Sequence, residues 1–293
     1  MTQAQLKRWF ITPYIVVMVG VLGHILSVLW RQGPDLAWTG AALAGLASVG
    51  TFAGFILMGK ARTRPKLPTL TWGAGLGTFL ALLGVMTGGS LLALIYAGGV
   101  YGLGGWVYVY WYSRFGRQPS ERLCPGTVLP DFELIENSGQ RLRSRDLRGK
   151  PAILLFFRGN WCPLCMAQVK EIAAQYRQIA ERGAQILLIS PQSIAHNRSL
   201  AARFDVPFRY LHDPALNAAR ALGILHRDAL PVGMAALGYD TDAVLPTVII
   251  VDAEGCVRFA DETDNYRVRP EPETFLRVLD GFLERPGSRP PSP

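Results

Sequence analysis

The pattern of apolar and polar positions divides this chain near residue 112. Before that point, long apolar runs follow one another with short polar breaks, and four of them approach or exceed the roughly 20 residues that a helix needs to cross a bilayer. Beyond it, apolar residues recur in the short runs typical of strands and amphipathic helices. The four long runs are Ile11–Trp30, Leu36–Gly59, Leu70–Thr87 and Ser90–Tyr112. The pattern therefore predicts an all-α bundle of four transmembrane helices over residues 1–112.

The second half of the chain alternates short strand-like and helix-like runs. After a polar linker, residues 113–129, this alternation predicts an α/β domain over residues 130–285, with a mixed sheet flanked by helices. The Pro-rich residues 286–293 are expected to be disordered. The strands are expected near Phe132–Ile135, Ala152–Phe157, Gln185–Ser190, Phe208–Leu211, Val248–Val251 and Val257–Ala260, and the helices over Met166–Ile179, His196–Phe204, Pro214–Leu222 and Glu271–Leu283.

Charge is distributed unevenly between the two halves. The net charge of +8 comes mostly from the apolar half, because Asp35 is its single acid. Its basic residues cluster at the N-terminus and between the second and third runs, and more follow the fourth run. Since cytoplasmic loops are enriched in Lys and Arg, four spans place these segments and both termini in the cytoplasm. One long span in place of the third and fourth would put the C-terminal domain on the periplasmic or extracytoplasmic side.

Composition also limits the kinds of binding partner that the chain is expected to have. The C-terminal half is nearly neutral and lacks the clustered basic footprint that nucleic-acid binding requires. The membrane half contains one histidine, His24, and no cysteine or carboxylate within a run. We therefore interpret that half as an anchor whose partner is the lipid bilayer, without redox chemistry of its own.

Candidate chemistry is concentrated in Cys162 and Cys165, at the junction of a predicted buried strand and a predicted helix. Two cysteines three residues apart at a helix start share one face and can close a disulfide loop. Unpaired N–H groups and the helix dipole at the first turn favour a thiolate on Cys162, the expected nucleophile. Cys165, one turn deeper, would then resolve the mixed disulfide.

Three neighbours complete this candidate site. Trp161 is expected to screen the sulfur from water, Pro163 suits a first helical turn, and Arg158 supplies a positive charge. Half of a zinc site is the alternative, but Cys124 and Cys256 are the remaining cysteines and neither has a partner at ligand spacing. No metal or organic cofactor is expected.

These residues resemble a known family. Three segments carry the resemblance: Phe157–Cys165, Leu245–Thr247 before a strand and hairpin, and Asp264–Glu273. They are similar to the thioredoxin-like superfamily. Within it, they resemble the peroxiredoxin-like branch of the alkyl hydroperoxide reductase/thiol-specific antioxidant (redoxin) family. The resemblance covers about residues 130–283. It implies a thioredoxin-type or glutathione-type thiol donor and a disulfide or hydroperoxide substrate. It also implies a cis proline at Pro246, packed against the active-site disulfide, where Leu245 would accept an extended substrate.

Two positions depart from the pattern of that family. Peroxiredoxins have a Thr or Ser three residues before the reactive cysteine and an arginine near it, where this chain has Gly159 and Pro246. Gly159→Thr is therefore expected to raise peroxide turnover or leave it unchanged. We accordingly favour a membrane-anchored thiol oxidoreductase performing dithiol–disulfide exchange. A thiol peroxidase with antioxidant activity is the first alternative, and a docking module whose thiols sense redox state without turnover is the second.

Overall fold

The computed structural model describes residues 2–283, which fold as two compact units divided between Phe115 and Gly116. The tail expected to be disordered, residues 286–293, lies outside the described residues.

The first unit consists of four helices long and apolar enough to span a membrane: Gln3–Gln32, Leu36–Leu57, Pro68–Met86 and Leu91–Tyr112. Thr2 and Asp35 cap the first two helices with side-chain oxygens that accept backbone N–H groups. A break at Gly88 and Gly89 keeps the third and fourth helices separate, as the sequence predicts. The fourth helix contains two π-helical stretches, Ile95–Leu103 and Tyr108–Tyr112, which the sequence pattern does not indicate.

Glycine allows the second and third helices to pack closely. A Cβ at Gly77 would lie 2.5 Å from the carbonyl oxygen of Gly40 and 2.6 Å from the backbone nitrogen of Ala44. No side chain fits there, so these two backbones approach each other directly, as small residues permit in membrane helices.

The second unit is the α/β domain, built on a seven-stranded mixed sheet with strand order β2-β1-β5-β4-β3-β8-β9. The strands β3, β4 and β5 are parallel, and the others pair antiparallel. A separate two-stranded ribbon joins β6 to β7. The strands are β1 (Glu133–Glu136), β2 (Arg141–Arg143), β3 (Ala152–Phe156), β4 (Gln185–Ser190), β5 (Arg209–His212), β6 (Leu225–His226), β7 (Ala243–Val244), β8 (Thr247–Val251) and β9 (Val257–Asp261).

Helices flank this sheet and bury its central strands. Every residue of β3 and β8 is buried, as expected for continuous apolar runs in the middle of a sheet. The helix that follows β3, here called the motif helix, spans Pro163–Ala174, and its apolar face packs into the main core of the domain together with the last helix. The helices are Pro163–Ala174, Tyr176–Glu181, Ile194–Ala201, Asn217–Leu222 and Pro272–Leu283.

Part of the predicted linker, 113–129, packs on the sheet of the second unit. The backbone N–H groups of Gly116 and Arg117 donate to the Asp264 carboxylate at 2.7 and 2.9 Å. The Arg117 side chain, 2% exposed, forms an ion pair with Glu262 at 2.9 Å. The hydropathy pattern of the sequence does not indicate this packing, because the contacts that hold the segment are polar.

Candidate active site

The sheet places the two candidate cysteines at the carboxyl end of its central parallel strand. After β3 ends at Phe156, Phe157 donates its N–H to the Ile189 carbonyl and extends the pairing with β4. A short turn follows, and Cys162 becomes the N-cap of the motif helix, with Pro163 in its first turn as predicted. The backbone N–H of Met166 donates to the Cys162 carbonyl at 3.1 Å. Both sulfurs thus lie within one turn of a helix N-terminus.

The two thiols are free and buried, with Cys162 3% exposed and Cys165 0% exposed. The hydrogen bond that Cys162 donates to Cys165 and then burial raise the pKa of the Cys162 thiol. Burial also acts to raise the pKa of Cys165. That hydrogen bond, the Arg269 charge and the backbone N–H of Arg158 outweigh burial and lower it. The pKa of Cys165 is thus lowered and that of Cys162 raised, whereas helix position alone favours a lowered pKa at Cys162.

Arg269 explains this difference. Its side chain is 6% exposed, and Nη2 donates to the Cys165 sulfur at 3.5 Å while Nη1 donates to Gln168 Oε1 at 2.6 Å. The sequence motif Asp264–Glu273 contains Arg269, but nothing in its spacing indicates a contact with a cysteine 104 residues earlier. No arginine stands at Pro246, and the guanidinium in contact with Cys165 comes from another segment.

Arg158 and Trp161 form the outer wall of the site. The Arg158 guanidinium lies over the Trp161 ring, 4.5 Å from its centroid, and Nη2 donates to the Ala229 carbonyl at 2.6 Å. Arg158 is itself buried, and its Nε has no hydrogen-bond partner within residues 2–283. Trp161 packs against the core cluster that contains both cysteines, consistent with the screening role expected of it.

The turn between β3 and the motif helix is held by the loop that follows β4. Gln192 Oε1 accepts the backbone N–H of Asn160 at 2.9 Å, and Gln192 Nε2 donates to Asn160 Oδ1 at 3.0 Å. Asn160 Nδ2 also donates to the His196 carbonyl at 3.0 Å. These reciprocal bonds fix the backbone just before Cys162.

Pro246 differs from what the resemblance implied, because its peptide bond is trans in the structure: residues 2–283 contain no cis peptide. Leu245 donates its N–H to the Ile224 carbonyl at 2.8 Å, and Thr247 begins β8 opposite Phe156. The trans bond joins these two extended pairings without a turn. Arg117 Nη1 donates to the Pro246 carbonyl at 3.2 Å, so that carbonyl is already occupied. Pro246 remains at the same sheet edge as the cysteines.

The segment between β6 and β7 borders a cavity beside Arg158 and Trp161. It contains a short 3-10 helix, Met234–Leu237, and folds back so that Leu230 N–H donates to the Thr241 carbonyl. The cavity has a volume of about 330 Å³ and is also lined by polar side chains that include those of Gln192, His212, Asp240 and Asp242. The cavity meets the site at Arg158 and Trp161, and neither Cys162 nor Cys165 lines it.

The two remaining cysteines lie away from this pair. Cys124 is exposed in the segment before β1, and Cys256 is half-buried in the turn between β8 and β9, where its N–H donates to Asp252 Oδ1. The structure assigns neither a contact with Cys162 or Cys165.

Comparison with known proteins identifies the domain that carries this site. The AhpC/TSA family model matches residues 125–260. Peroxiredoxin Q of Triticum aestivum is 25% identical over 103 residues, which are 35% of this chain and 48% of that protein. The thiol-disulfide oxidoreductase ResA of Bacillus subtilis is 31% identical over 70 residues, 24% of this chain and 38% of that protein. The chain thus spans about half the length, or less, of these relatives.

Two solved structures each align with a little over half of the chain. The peroxidoxin BcpB of Mycobacterium tuberculosis superposes with a TM-score of 0.44 and 19% identity, covering 56% of this chain and 98% of the other. The AhpC of Enterococcus faecalis gives a TM-score of 0.46 at 19% identity, covering 57% and 98%. The family match over residues 125–260, the peroxiredoxin relatives and the mixed sheet around the cysteines together lead to one conclusion: this chain carries a thioredoxin-like redoxin domain that matches the AhpC/TSA family, preceded by helices apolar enough for a membrane anchor.

Proposed function

We propose that this protein is a membrane-anchored thiol oxidoreductase in which Cys162 and Cys165 exchange electrons with disulfide substrates. The observation that carries the proposal is the pair itself: two free, buried thiols three residues apart at a helix N-terminus within a redoxin domain. Dithiol–disulfide exchange needs a sulfur pair, a means of ionising it and a route for substrate. The motif helix and Arg269 support the ionisation of the pair. The cavity beside Trp161 lies next to the pair, and a substrate that uses it must displace the Trp161 ring to reach the buried sulfurs.

In this proposal Cys162 attacks first, because it lies nearer the surface at the helix N-cap. The attack forms a mixed disulfide, and Cys165 then attacks the Cys162 sulfur and releases the reduced substrate. A thioredoxin-type or glutathione-type thiol donor would return the pair to the dithiol state. The redoxin domain is proposed to face the cytoplasm, a reducing compartment in which a catalytic pair can cycle.

Thiol peroxidase is the second candidate function. It is favoured by two buried guanidinium groups near the sulfurs, those of Arg158 and Arg269, and by the peroxiredoxin relatives. Positive charge stabilises the negative charge that develops as an O–O bond breaks. Against it, Gly159 offers no hydroxyl at the position where peroxiredoxins have one. Attack by Cys162 is common to both candidates, so they differ in substrate rather than in the roles of the cysteines.

Two serine variants test the proposed roles. Cys162→Ser should abolish turnover, whereas Cys165→Ser should accumulate a mixed disulfide, because attack still occurs and resolution does not. The trapped adduct is measured by mass spectrometry after reaction with a disulfide substrate, and Cys124→Ser serves as the control with unchanged turnover. Equal loss in both active-site variants without a trapped adduct would contradict this division of roles.

Substrate choice is tested by the rate of the first step. We expect hydrogen peroxide to oxidise Cys162 no faster than it oxidises a free thiolate, and Trp161 fluorescence should report that oxidation. A much higher rate would make peroxidase the primary activity. A protein that reacts once with substrate and cannot be cycled by a dithiol donor would instead be a redox sensor.

A further inference from the structure

The close contact between the second and third helices ends part of the way along the second helix. Its last glycine contact in that direction is at Gly73, where a Cβ would overlap that of Ala47. The next glycines on the second helix, Gly50 and Gly54, have a spacing that usually lets another helix approach. Among the described residues, no atom outside the backbone of its own helix lies within 4 Å of a Cβ placed at Gly50. Near a Cβ at Gly54 there is the end of the flexible Met58 side chain. No helix therefore covers these two glycines.

The two glycines line a cavity within the first unit that has a volume of about 580 Å³. The cavity exists because the third helix begins at Pro68, so that the second helix continues past the start of its partner. Its wall along the second helix is apolar, since the Thr51 hydroxyl donates to the Ala47 carbonyl of its own helix at 2.7 Å. The other apolar lining residues are Leu46, Phe55, Met58 and Leu67.

The opposite end of this cavity is basic. The loop between the second and third helices contains four basic residues and no acid. Three of the four line the cavity: Lys60, Arg62 and Arg64. The fourth, Lys66, does not line it. Asp35, the single acid of residues 1–112, caps the other end of the second helix. Retention of positive loops in the cytoplasm explains the sign of this charge, but it does not require the charges to border a cavity.

The start of the third helix adds to the positive end of the cavity. Its N-cap residue is Leu67, which makes no side-chain cap, whereas Thr2 and Asp35 cap the first two helices. The first N–H groups of a helix have no intrahelical acceptor and lie at the positive end of the helix dipole. Pro68 has no N–H, so the first of these groups belongs to Thr69, which also lines the cavity. Phosphate groups bind at helix ends of this kind.

We propose that this cavity binds one anionic phospholipid, with the phosphate at the basic end and an acyl chain along Gly50 and Gly54. The acyl chain takes the place that a neighbouring helix would otherwise occupy beside two small residues. An anionic headgroup fits better than a zwitterionic one, because the latter would bring its own cation to a loop without a carboxylate. The inference rests on the membrane anchoring proposed above and is independent of the thiol chemistry.

The proposed topology agrees with this assignment. With both termini in the cytoplasm, the loop between the second and third helices also lies on the cytoplasmic side. Anionic lipids of that leaflet attract Lys and Arg, and basic pockets between membrane helices bind anionic headgroups. The cavity opens at the depth where such a headgroup lies, because its apolar wall belongs to a membrane-spanning helix and its basic end to the adjoining loop.

Native mass spectrometry of the delipidated full chain in detergent measures the binding directly. The two probes are phosphatidylglycerol, which is anionic, and phosphatidylcholine, which is zwitterionic, with identical acyl chains. We expect one phosphatidylglycerol to be retained, with an affinity about fivefold or more above that of phosphatidylcholine. Inorganic phosphate at the same concentration should not displace it, because phosphate lacks the acyl chains.

Two lysine variants test recognition of the headgroup. Lys60→Gln and Lys66→Gln remove the same charge from the same loop, but only Lys60 lines the cavity. Lys60→Gln should weaken phosphatidylglycerol binding by about fivefold and leave phosphatidylcholine binding unchanged. Lys66→Gln is the matched control and should bind both lipids as the unmodified protein does.

Two glycine variants test the place of the acyl chain. Gly50→Leu should fill the cavity and abolish the lipid adduct, and the open space in front of Gly50 lets the helices fold around the new side chain. Gly75→Leu is the matched control, since Gly75 on the third helix also has no neighbour within 4 Å of its Cβ position and does not line the cavity. It should retain the lipid.

Several outcomes would overturn the inference. Equal binding of the two lipids, or equal effects of Lys60→Gln and Lys66→Gln, would show that the basic end does not select the headgroup. An adduct that persists in Gly50→Leu would place the lipid elsewhere. Thiol turnover in the same samples keeps the proposed function separate, because loss of lipid selectivity with normal turnover contradicts only this inference. A chain that does not fractionate with membranes would remove the anchor, and the inference would fail with it.

Discussion

At the residue scale, Gly159 shows how tightly the turn before the cysteines is built. Its φ of +143° lies in a range that residues with a side chain rarely adopt. A Cβ at this position would lie 2.9 Å from two atoms of the Trp161 indole. Glycine here lets the Trp161 ring lie against the backbone, and that ring in turn supports the Arg158 guanidinium.

This geometry changes the effect that we expect of Gly159→Thr, from a gain or no change in peroxide turnover to a loss of stability. We now predict that Gly159→Thr and Gly159→Ala lower the free energy of unfolding, by about 1–3 kcal/mol for the backbone strain alone, and displace Trp161. Chemical denaturation and Trp fluorescence measure the two effects. Gly183→Ala is the matched control, since Gly183 also has a positive φ, +71°, but no atom within 4 Å of its Cβ position. Equal destabilisation in both variants, with unchanged fluorescence, would show that contact with Trp161 does not matter.

The sequence revealed the parts of the site that depend on local spacing. A motif of a few residues located Cys162, Cys165 and Pro163 at the start of a helix, and the structure has them there. Their catalytic and supporting roles stay predictions. Arg269 could not be assigned a role, because its contact with Cys165 depends on how a distant segment returns to the motif helix. The effect of Arg269 on the pKa of Cys165 could therefore not be predicted from the sequence either.

At the scale of elements, the segment before β1 has a structural role that its polar composition conceals. Arg117 donates to the carbonyl of Pro246, the Thr247 hydroxyl and the carboxylate of Glu262, and its side chain is almost fully buried. It thereby clamps the start of β8, at the sheet edge that holds the cysteines. Ser120 adds backbone and hydroxyl bonds to Glu262 and to the Leu222 carbonyl.

Removing this clamp should destabilise the redoxin domain. Arg117→Met leaves the Glu262 carboxylate, which is 12% exposed, without its guanidinium, and breaking such a buried pair costs about 3–5 kcal/mol. Thermal or denaturant unfolding of the purified full chain measures the loss. Arg182→Met breaks a partly exposed pair with Asp280 and should cost no more than about 1 kcal/mol. Similar losses in the two variants would mean that the segment before β1 does not stabilise the domain.

The sequence predicted helices and strands correctly where the hydrophobic pattern is strong. It failed where polar contacts or backbone geometry determine the bounds of an element. The buried strands β3, β4 and β8 were located within a residue or so, because their apolar runs are continuous. The motif helix was expected as part of one long helix, Met166–Ile179, but the structure divides that region at Gln175. The ribbon of β6 and β7 was not predicted, since each strand has two residues and no repeating pattern.

At the scale of the whole molecule, the two units have separate cores that differ in their chemistry. The first has an apolar exterior that includes exposed Trp30, Trp72 and Trp106, as expected of a surface that faces lipid, and its core contains no cysteine. The second contains both candidate redox cysteines and the mixed sheet. This division supports the proposal that the helices anchor the protein while the redoxin domain carries the chemistry.

The side of the membrane that the redoxin domain faces is set by the number of spans and by charge. The break between Pro68–Met86 and Leu91–Tyr112 favours four spans, and an even number returns the chain to the side where it began. The basic residues between the second and third spans, including Lys60, Arg62 and Arg64, then lie on the same side as both termini. Since positive loops stay in the cytoplasm, we predict a cytoplasmic redoxin domain.

Single cysteines introduced into a chain whose four native cysteines are replaced by serine test this topology. Ser292→Cys and Thr63→Cys should resist an impermeant thiol reagent in intact cells and react once the cells are permeabilised. Pro34→Cys, in the loop between the first two spans, is the control that should react in intact cells. Labelling of Ser292→Cys but not Thr63→Cys would imply an odd number of spans. Labelling of both, with Pro34→Cys protected, would invert the whole protein and place Cys162 and Cys165 outside the cytoplasm, where a disulfide is stable and an oxidising role becomes possible.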